Sequence, residues 1–330
     1  MNNDNYIIEA KKLSKVFKVH IRDREGMLSA LSSLFFRQYD YVNAAKEINL
    51  GIIQGTIRGL IGPNGAGKST LIKMLTGILF PTSGSINIMG LNPWSDRIKY
   101  VNNIGVLFGQ KSQLIWELPA IDTYSYYRKM YTIPIDSYKD TLKYFTNLLN
   151  IKDVITKPVR NLSLGERMKC ELVCALLHNP KIVYLDEPTI GIDVTAKQSI
   201  RNMIKKVNKD RNTTFIISTH DLYEIENLCD EITVLNNGSV IYNGTLEKLR
   251  MLSSKKKVEI TFFNKADKNK VVKMWNLNQT MNNTIKFDLD VTKYSYKETI
   301  IYLLQNFAIK DINLSSINIE TVIEAIYNQK

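Results

Sequence analysis

Long apolar runs are missing from this 330-residue chain. No stretch reaches the roughly eighteen apolar residues that a membrane-spanning helix needs, so the chain is expected to be soluble by itself. The start, "MNNDNYIIEA", lacks the basic-then-apolar order of a secretory signal. Cysteine is scarce as well: Cys170, Cys174 and Cys229 form no CxxC pair. The first two lie one helical turn apart, which suits apolar packing in a reducing compartment better than a metal site or a disulfide. Acidic residues are outnumbered, 32 against 44 Lys and Arg, for a net charge of +12. That balance suits an anionic nucleotide or the inner leaflet of a membrane as well as nucleic acid. The lysines are spread out, with only "KKK" at 255–257 forming a run, which argues against a nucleic-acid partner.

What is present is a hydrophobic content of 44%, enough for one large core and a smaller one. Within it, "GLIGPNGAGKSTLIKMLTG" at 59–77 contains GxxxxGKS. An apolar run, "TIRGLIG", precedes the loop as a strand, and "KSTLIKMLTGIL" follows with helical spacing. Glycines 62, 65 and 67 let backbone N–H groups turn inward around phosphates, and the helix N-terminus adds a favourable dipole. Lys68 is placed to reach the β- and γ-phosphates, and Ser69 to ligate Mg²⁺. In "PKIVYLDEPT" a second apolar strand, Ile182 to Leu185, ends in Asp186 and Glu187. Asp186 suits the metal and Glu187 the polarisation of an attacking water.

"GPNGAGKST", "LSLGE" at 162–166, "YLDEPT" and "STHD" at 218–221, in that order, resemble the nucleotide-binding subunit of an ATP-binding cassette (ABC) transporter. The resemblance spans roughly residues 6 to 250. It implies an α/β fold: a P-loop NTPase core of RecA type, an antiparallel β subdomain and a helical signature subdomain, with ATP and Mg²⁺ as ligands. By the same resemblance Gly62, Pro63, Asn64, Gly65, Ala66, Gly67, Lys68, Ser69 and Thr70 form the phosphate loop. The metal ligands would be Ser69, Asp186 and Gln110. Gln110 stands where the family has its Q-loop glutamine, with Gln113 as a nearby rival. His220 resembles the switch histidine that orients Glu187, and Asp193 in "TIGID" the D-loop aspartate. Phe17 stands where the family stacks an aromatic on adenine, with Tyr39 or Tyr41 as alternatives.

Leu162, Ser163, Leu164, Gly165 and Glu166 resemble the signature loop, which in this family faces the γ-phosphate bound by a second subunit. Compared with the common LSGGQ, Leu164 replaces a glycine and Glu166 a glutamine. Ser163 and Gly165 are retained as the groups suited to a phosphate at a helix N-terminus. Glu166 places a carboxylate near an anion, which would weaken closure unless Arg167 or a partner lysine offsets it. With one cassette, the chain is expected to pair with a second ABC subunit, a homodimer being favoured. Separate transmembrane permease subunits would hold it at the cytoplasmic face of the cell membrane.

The insertion at about 18–41 carries Met27, Leu28, Leu31, Leu34 and Phe35 at helical spacing, flanked by Arg22, Arg24 and Arg37. That pattern fits an amphipathic helix against a membrane or partner, or a plain packing helix. A helical subdomain is expected at about 111–178, where Trp116, Tyr124, Tyr127 and Tyr131 line a partner groove or belong to the core. An accessory α+β domain is expected over 251–330: "KVEITFF" and "TIKFDLDV" read as strands and three further segments as helices. An insertion of this kind, with "FGQKSQLIWELP" and "TIGIDVTAK", resembles a bacterial exporter branch. The alternative is a soluble ABC-family ATPase acting on ribosomes or nucleic acid. Two-cassette and coiled-coil-interrupted architectures, which mark those classes, are not seen in this sequence.

Overall fold

A computed structural model describes residues 6–20, 39–109, 111–252, 255–275, 277, 280–281, 283–290, 295–316 and 319–328. It falls into two compact units, Met1–Asn243 and Gly244–Lys330. The expected amphipathic segment of the insertion and Gln110 lie outside the described residues.

The first unit is built on a six-stranded sheet whose central members are short and apolar. Strands β3 (Ile57–Ile61), β6 (Ile182–Asp186) and β7 (Thr214–Ser218) are buried almost throughout, as parallel strands covered on both faces require. The order is β5 (Ile104–Phe108), β6, β7, β3, β8 (Glu231–Asn236), β9 (Ser239–Thr245). Registers β5–β6, β6–β7, β7–β3 and β3–β8 are all parallel. The β8–β9 hairpin turns at Asn237 and Gly238, both with positive φ, the pairing favoured by a tight right-twisted hairpin. A three-stranded antiparallel sheet, β2 (Tyr39–Ile53), β1 (Tyr6–His20), β4 (Ser83–Ile88), packs beside it. Ile8, Ile52, Leu60, Leu71 and Tyr184 share the core between them.

Two buried polar devices fix the frame. Tyr100 donates its hydroxyl to the Leu75 carbonyl at 2.6 Å and lies 3.1 Å from the Tyr184 hydroxyl. It thereby ties the helix after the glycine loop to β6, where Asp186 sits. Arg58, 2% exposed within β3, is paired with Glu231 and donates to Asn243 Oδ1 at 2.6 Å and to Gly51 O at 3.2 Å. A charge this deep needs such partners: both terminal nitrogens are engaged, while Nε has no hydrogen-bond partner among the described residues.

The helical subdomain holds α3 (Ala120–Met130), α4 (Ile135–Leu149) and α5 (Leu164–Leu176). Tyr124 resolves as core: it is fully buried and donates to the Cys170 carbonyl at 3.0 Å. Tyr127 and Tyr131 are half-buried, and Trp116 is exposed. The three cysteines are buried and free.

The second unit is a β-α-β-β-α-β arrangement. Strand β10 (Lys255–Phe262) is followed by a helix at Lys265–Trp275, then β11 (Thr280–Met281), β12 (Thr284–Asp290), a helix at Tyr296–Asn306, and β13 (Ile309–Ser316). The antiparallel order β11-β12-β10-β13 places the first strand beside the last, the split βαβ pattern. Val258, Ile260, Phe262, Ile285 and Leu289 alternate inward onto Val271 and Leu303. The opposite face is polar, with Glu259 paired to Lys286 at 2.9 Å. The boundary falls before the expected 250/251, because the helix Leu246–Met251 buries Leu249 and packs on the helix Ile319–Asn328.

Candidate functional site

Strand β3 ends at Ile61, and residues 62–67 form the loop before helix α1 (Lys68–Leu75). Gly67 has φ +102, and a Cβ there would lie 2.5 Å from the Ala44 carbonyl oxygen. Only glycine meets both conditions. No side chain caps α1, so its first N–H groups stay open to an anion. Lys68, 6% exposed, folds back over the loop and donates to Gly62 O at 2.7 Å and Pro63 O at 3.2 Å. Burial lowers its pKa, opposed by Glu187 and Asp186. Pro63, Asn64 and Gly65 are exposed at the rim, Ala66 is buried beneath, and Thr70 is half-buried.

The neighbouring strand ends bring the acids to this loop. Ser69 Oγ lies 3.2 Å from Asp186 Oδ1, and Ser218 Oγ donates to the same oxygen. The Glu187 amide donates to Ser218 O at 3.0 Å and contacts Ser218 Oγ at 3.1 Å. Glu187 has φ +53, a left-handed conformation uncommon for its residue type and frequent at functional turns. His220 Nδ1 stands 3.7 Å from Glu187 Oε1, longer than a hydrogen bond. A cavity of about 230 Å³, lined by Glu187, Thr189, Lys197, Thr219 and His220 among others, opens beside them. Ser218 was legible inside "STHD" but carried no assignment there. Its double role at Asp186 and Glu187 appears only once β6 and β7 are paired.

The oxygen pair at Ser69 and Asp186 fits a hard cation such as Mg²⁺. Among the described residues no cluster of three or more His, Cys, Asp or Glu could hold a metal alone. Gln110 is outside the described residues, but its flanks are fixed: Gly109 N donates to Asp186 O and Lys111 N to Phe108 O, both at 2.9 Å. Gln113, the rival, is held between β5 and the helical subdomain. Its Nε2 donates to Val106 O at 2.6 Å, and Tyr127 approaches its Oε1 at 3.4 Å.

Phe17 is partly exposed on β1 and pairs with Val42, while Lys18 pairs with Tyr41 and His20 with Tyr39. Alternation along the strand puts Phe17 on one face of this ribbon and the two tyrosines on the other. Lys18 Nζ sits 3.8 Å from the Tyr39 ring centroid, and Lys15 Nζ sits 5.3 Å from that of Phe17.

At the signature, Ser163 caps α5, and the S-x-x-E spacing is a reciprocal capping box. Ser163 Oγ accepts from Glu166 N at 3.2 Å, and Glu166 Oε2 accepts from Ser163 N at 2.9 Å. The motif was visible in the sequence as a helix start. Those hydrogen bonds from Ser163 lower the Glu166 pKa. The carboxylate is thus engaged with its own helix end, through both the amide and the hydroxyl of Ser163. Leu162 is half-buried and Leu164 exposed. Gly165 is buried: a Cβ there would meet Ala196 Cβ at 2.8 Å and Asp193 Oδ2 at 3.1 Å. Asp193 caps α6 (Val194–Arg211), accepting from Ala196 N at 2.9 Å, and its pKa is lowered by hydrogen bonds from Thr195 and Ala196.

Such a site, a glycine loop and helix N-terminus converging with two acids and a histidine from adjacent parallel strands, defines a nucleotide-hydrolysing P-loop protein. Residues 45–190 match the family model described as ABC transporter. The ABC transporter ATP-binding protein NatA of Bacillus subtilis is 31% identical over 222 residues, 67% of this chain and 90% of that protein. The bacitracin transport ATP-binding protein BcrA of Bacillus licheniformis is 30% identical over 236 residues, 72% of this chain and 74% of that protein. A solved ATP-binding subunit of an ABC transporter superposes with a TM-score of 0.61 at 25% identity, covering 74% of this chain and 92% of that structure. The chain belongs to the ABC transporter family as an ATP-binding subunit, and its enzymatic class is ATPase.

Proposed function

We propose that this subunit powers a membrane exporter through ATP-driven closure of a dimer, favoured as a homodimer, coupled to separate transmembrane subunits. The observation that carries the proposal is the convergence of Lys68, Ser69, Asp186, Glu187 and His220 on one phosphate loop. The signature is capped by its own residues. Among the described residues, no hydrogen bond or ion pair joins 162–166 to 62–70. In this reading Ser163 faces a second subunit's nucleotide, and two such sites form head to tail.

In this reading the α1 amides and Lys68 hold the phosphates, with Phe17 against adenine. Ser69 and Asp186 would hold Mg²⁺, which neutralises the charge on the phosphates when bound. Glu187 takes the proton of the attacking water, and His220 closes the 3.7 Å gap to hold that carboxylate. ATP makes its full set of contacts only in the closed pair, so its binding biases the pair toward closure.

Exposed Ile115, Trp116 and Leu118 follow the Q-loop directly and support a docking face for a transmembrane subunit, which would place the chain at the cytoplasmic face of the membrane. No helix among the described residues is long and apolar enough to cross a membrane. A transport role is supported by likeness to a bacitracin transport protein. The test is to capture the tagged chain from detergent-solubilised membranes and assay inverted vesicles for ATP-dependent uptake. Co-purifying polytopic proteins and inward accumulation are expected, whereas ribosomal components would overturn the transport reading.

A further inference from the structure

A buried carboxylate lies in the signature helix, two turns beyond Ser163, at a position with no part in the site described above. Glu171 is 3% exposed, and burial raises its pKa against the hydrogen bonds it accepts from Ser112, Gln113 and Leu114. Its Oε1 accepts from Ser112 Oγ, and its Oε2 from the Gln113 amide at 3.0 Å. A buried carboxylate on an apolar helix costs several kcal/mol unless both oxygens are matched. Among the described residues they are matched by one stretch, Ser112–Leu114, with the Arg167 guanidinium as the neighbouring cation.

That segment is the continuation of β5. Phe108 is paired with Asp186 in register, and Gly109 N donates to Asp186 O at 2.9 Å. Residues 111–119 then run alongside the signature loop. Arg167 lies 5.6 Å over the Trp116 ring, Arg160 pairs with Glu117 at 2.8 Å, and Val159 and Arg160 N donate to Leu118 O and Trp116 O at 3.0 Å. Most of these are exposed contacts of small individual worth. Glu171 supplies the buried side-chain contact between the two. A cavity of about 120 Å³, lined by Gly109, Lys111, Ser112, Arg167 and Glu171 among others, leaves room for the segment and the helix to shift relative to each other.

We infer that Glu171 is a positioning residue that links the strand carrying the metal-site contacts to the signature helix, so that occupancy of one nucleotide site sets where Ser163 is presented to the other. This rests on the shared-site dimer proposed above. Gly165 is held against Asp193 and Ala196 on the other side, so the helix is held at two points, at its start by Gly165 and two turns on by Glu171. Loss of the Glu171 contacts frees one of them without touching the phosphate loop.

The test uses the full chain with Glu171→Gln and Glu171→Met. A glutamine keeps both contacts: its oxygen accepts from the Gln113 amide, and its NH₂ donates to Ser112 Oγ, whose proton turns to Leu114 O, 3.3 Å away. A methionine keeps the volume and loses both, leaving the Gln113 amide without this acceptor, so some fall in Tm is expected and is measured alongside. ATP affinity of the isolated subunit, kcat, the Hill coefficient and Tm are measured for each. The expected result is ATP affinity within twofold for all and kcat within threefold of the unsubstituted chain for glutamine. For methionine, kcat falls at least tenfold and the Hill coefficient falls to one. Unchanged kcat and Hill coefficient in a stable methionine variant overturn the proposal. So does a fall in kcat that tracks ATP affinity and Tm together, since that is a structural role. If the unsubstituted chain itself hydrolyses ATP without cooperativity, the shared-site reading fails first, and the inference with it.

Discussion

Replacing Gly165 by alanine tests whether the signature helix is held where the chemistry needs it. The added methyl would sit 2.8 Å from Ala196 Cβ and 3.1 Å from Asp193 Oδ2. Carbon atoms rest at about 3.5–4.0 Å, so the helix start must retreat by roughly 1 Å. Overpacking of this kind costs about 1–3 kcal/mol, while alanine in a helix recovers about 1 kcal/mol over glycine. The net loss of stability is therefore about 2 kcal/mol at most, or roughly 8 °C in Tm for a unit of this size. A misplacement of about 1 Å in a catalytic group, by contrast, can cost up to about 100-fold in rate. Steady-state ATPase assays and thermal melts separate the two: kcat should fall tenfold or more with only a modest change in Tm. Adding Ala196→Gly removes the facing methyl and should restore most of the rate. Wild-type kcat in the single variant, or no recovery in the double, would refute the close-packing argument.

Glu166→Gln keeps the capping box, because an amide oxygen also accepts from Ser163 N, and removes the charge beside the phosphate. The ATP-bound dimer should tighten several-fold at low salt and show no gain at high salt, read by sedimentation; equal affinity at both would show the charge already neutralised by its helix end. The depressed Glu166 pKa also fixes a sign. Its contribution to stability is complete above the ordinary glutamate value and is lost as pH falls through the lower folded value, so acid melts of Glu166→Gln should be flatter over that window. Cys170, pushed by burial to about 11, and Cys174 and Cys229, pushed higher, should resist alkylation at pH 8 and all react in denaturant; rapid native labelling would contradict their burial. Glu231→Ala leaves Arg58 buried without its partner and should cost roughly 3 kcal/mol in denaturant unfolding. A loss under about 1 kcal/mol would show that Asn243 and Gly51 suffice.

The candidate site was legible where chemistry is local. The glycine loop, the acids ending β6 and His220 each sit at a strand terminus, and the apolar runs of Ile182–Leu185 and Thr214–Ser218 mark those strands without any tertiary information. What the sequence could not show depends on pairing. Ser218 acts on Asp186 only because β6 and β7 lie side by side. The face that separates Phe17 from Tyr39 and Tyr41 follows from the β1–β2 register, which bulges shift. Gly165 read as a phosphate contact, and the structure adds a second reason for it in the approach of Ala196. The edge strand Ile309–Ser316 escaped notice because "IKDINLSS" alternates weakly and ends in polar residues, so neither period stands out. The helix Leu246–Met251 goes with the C-terminal unit because Leu249 is buried there, a tertiary choice that its short sequence does not announce.

The central claim, that Glu187 activates the water in a site completed by a second subunit, is tested most directly by Glu187→Gln. ATP binding should persist while turnover falls by at least 100-fold, and the variant should accumulate as an ATP-dependent dimer in size-exclusion chromatography coupled to light scattering. Residual turnover close to that of the unsubstituted chain, or a monomer at saturating ATP, would contradict the account.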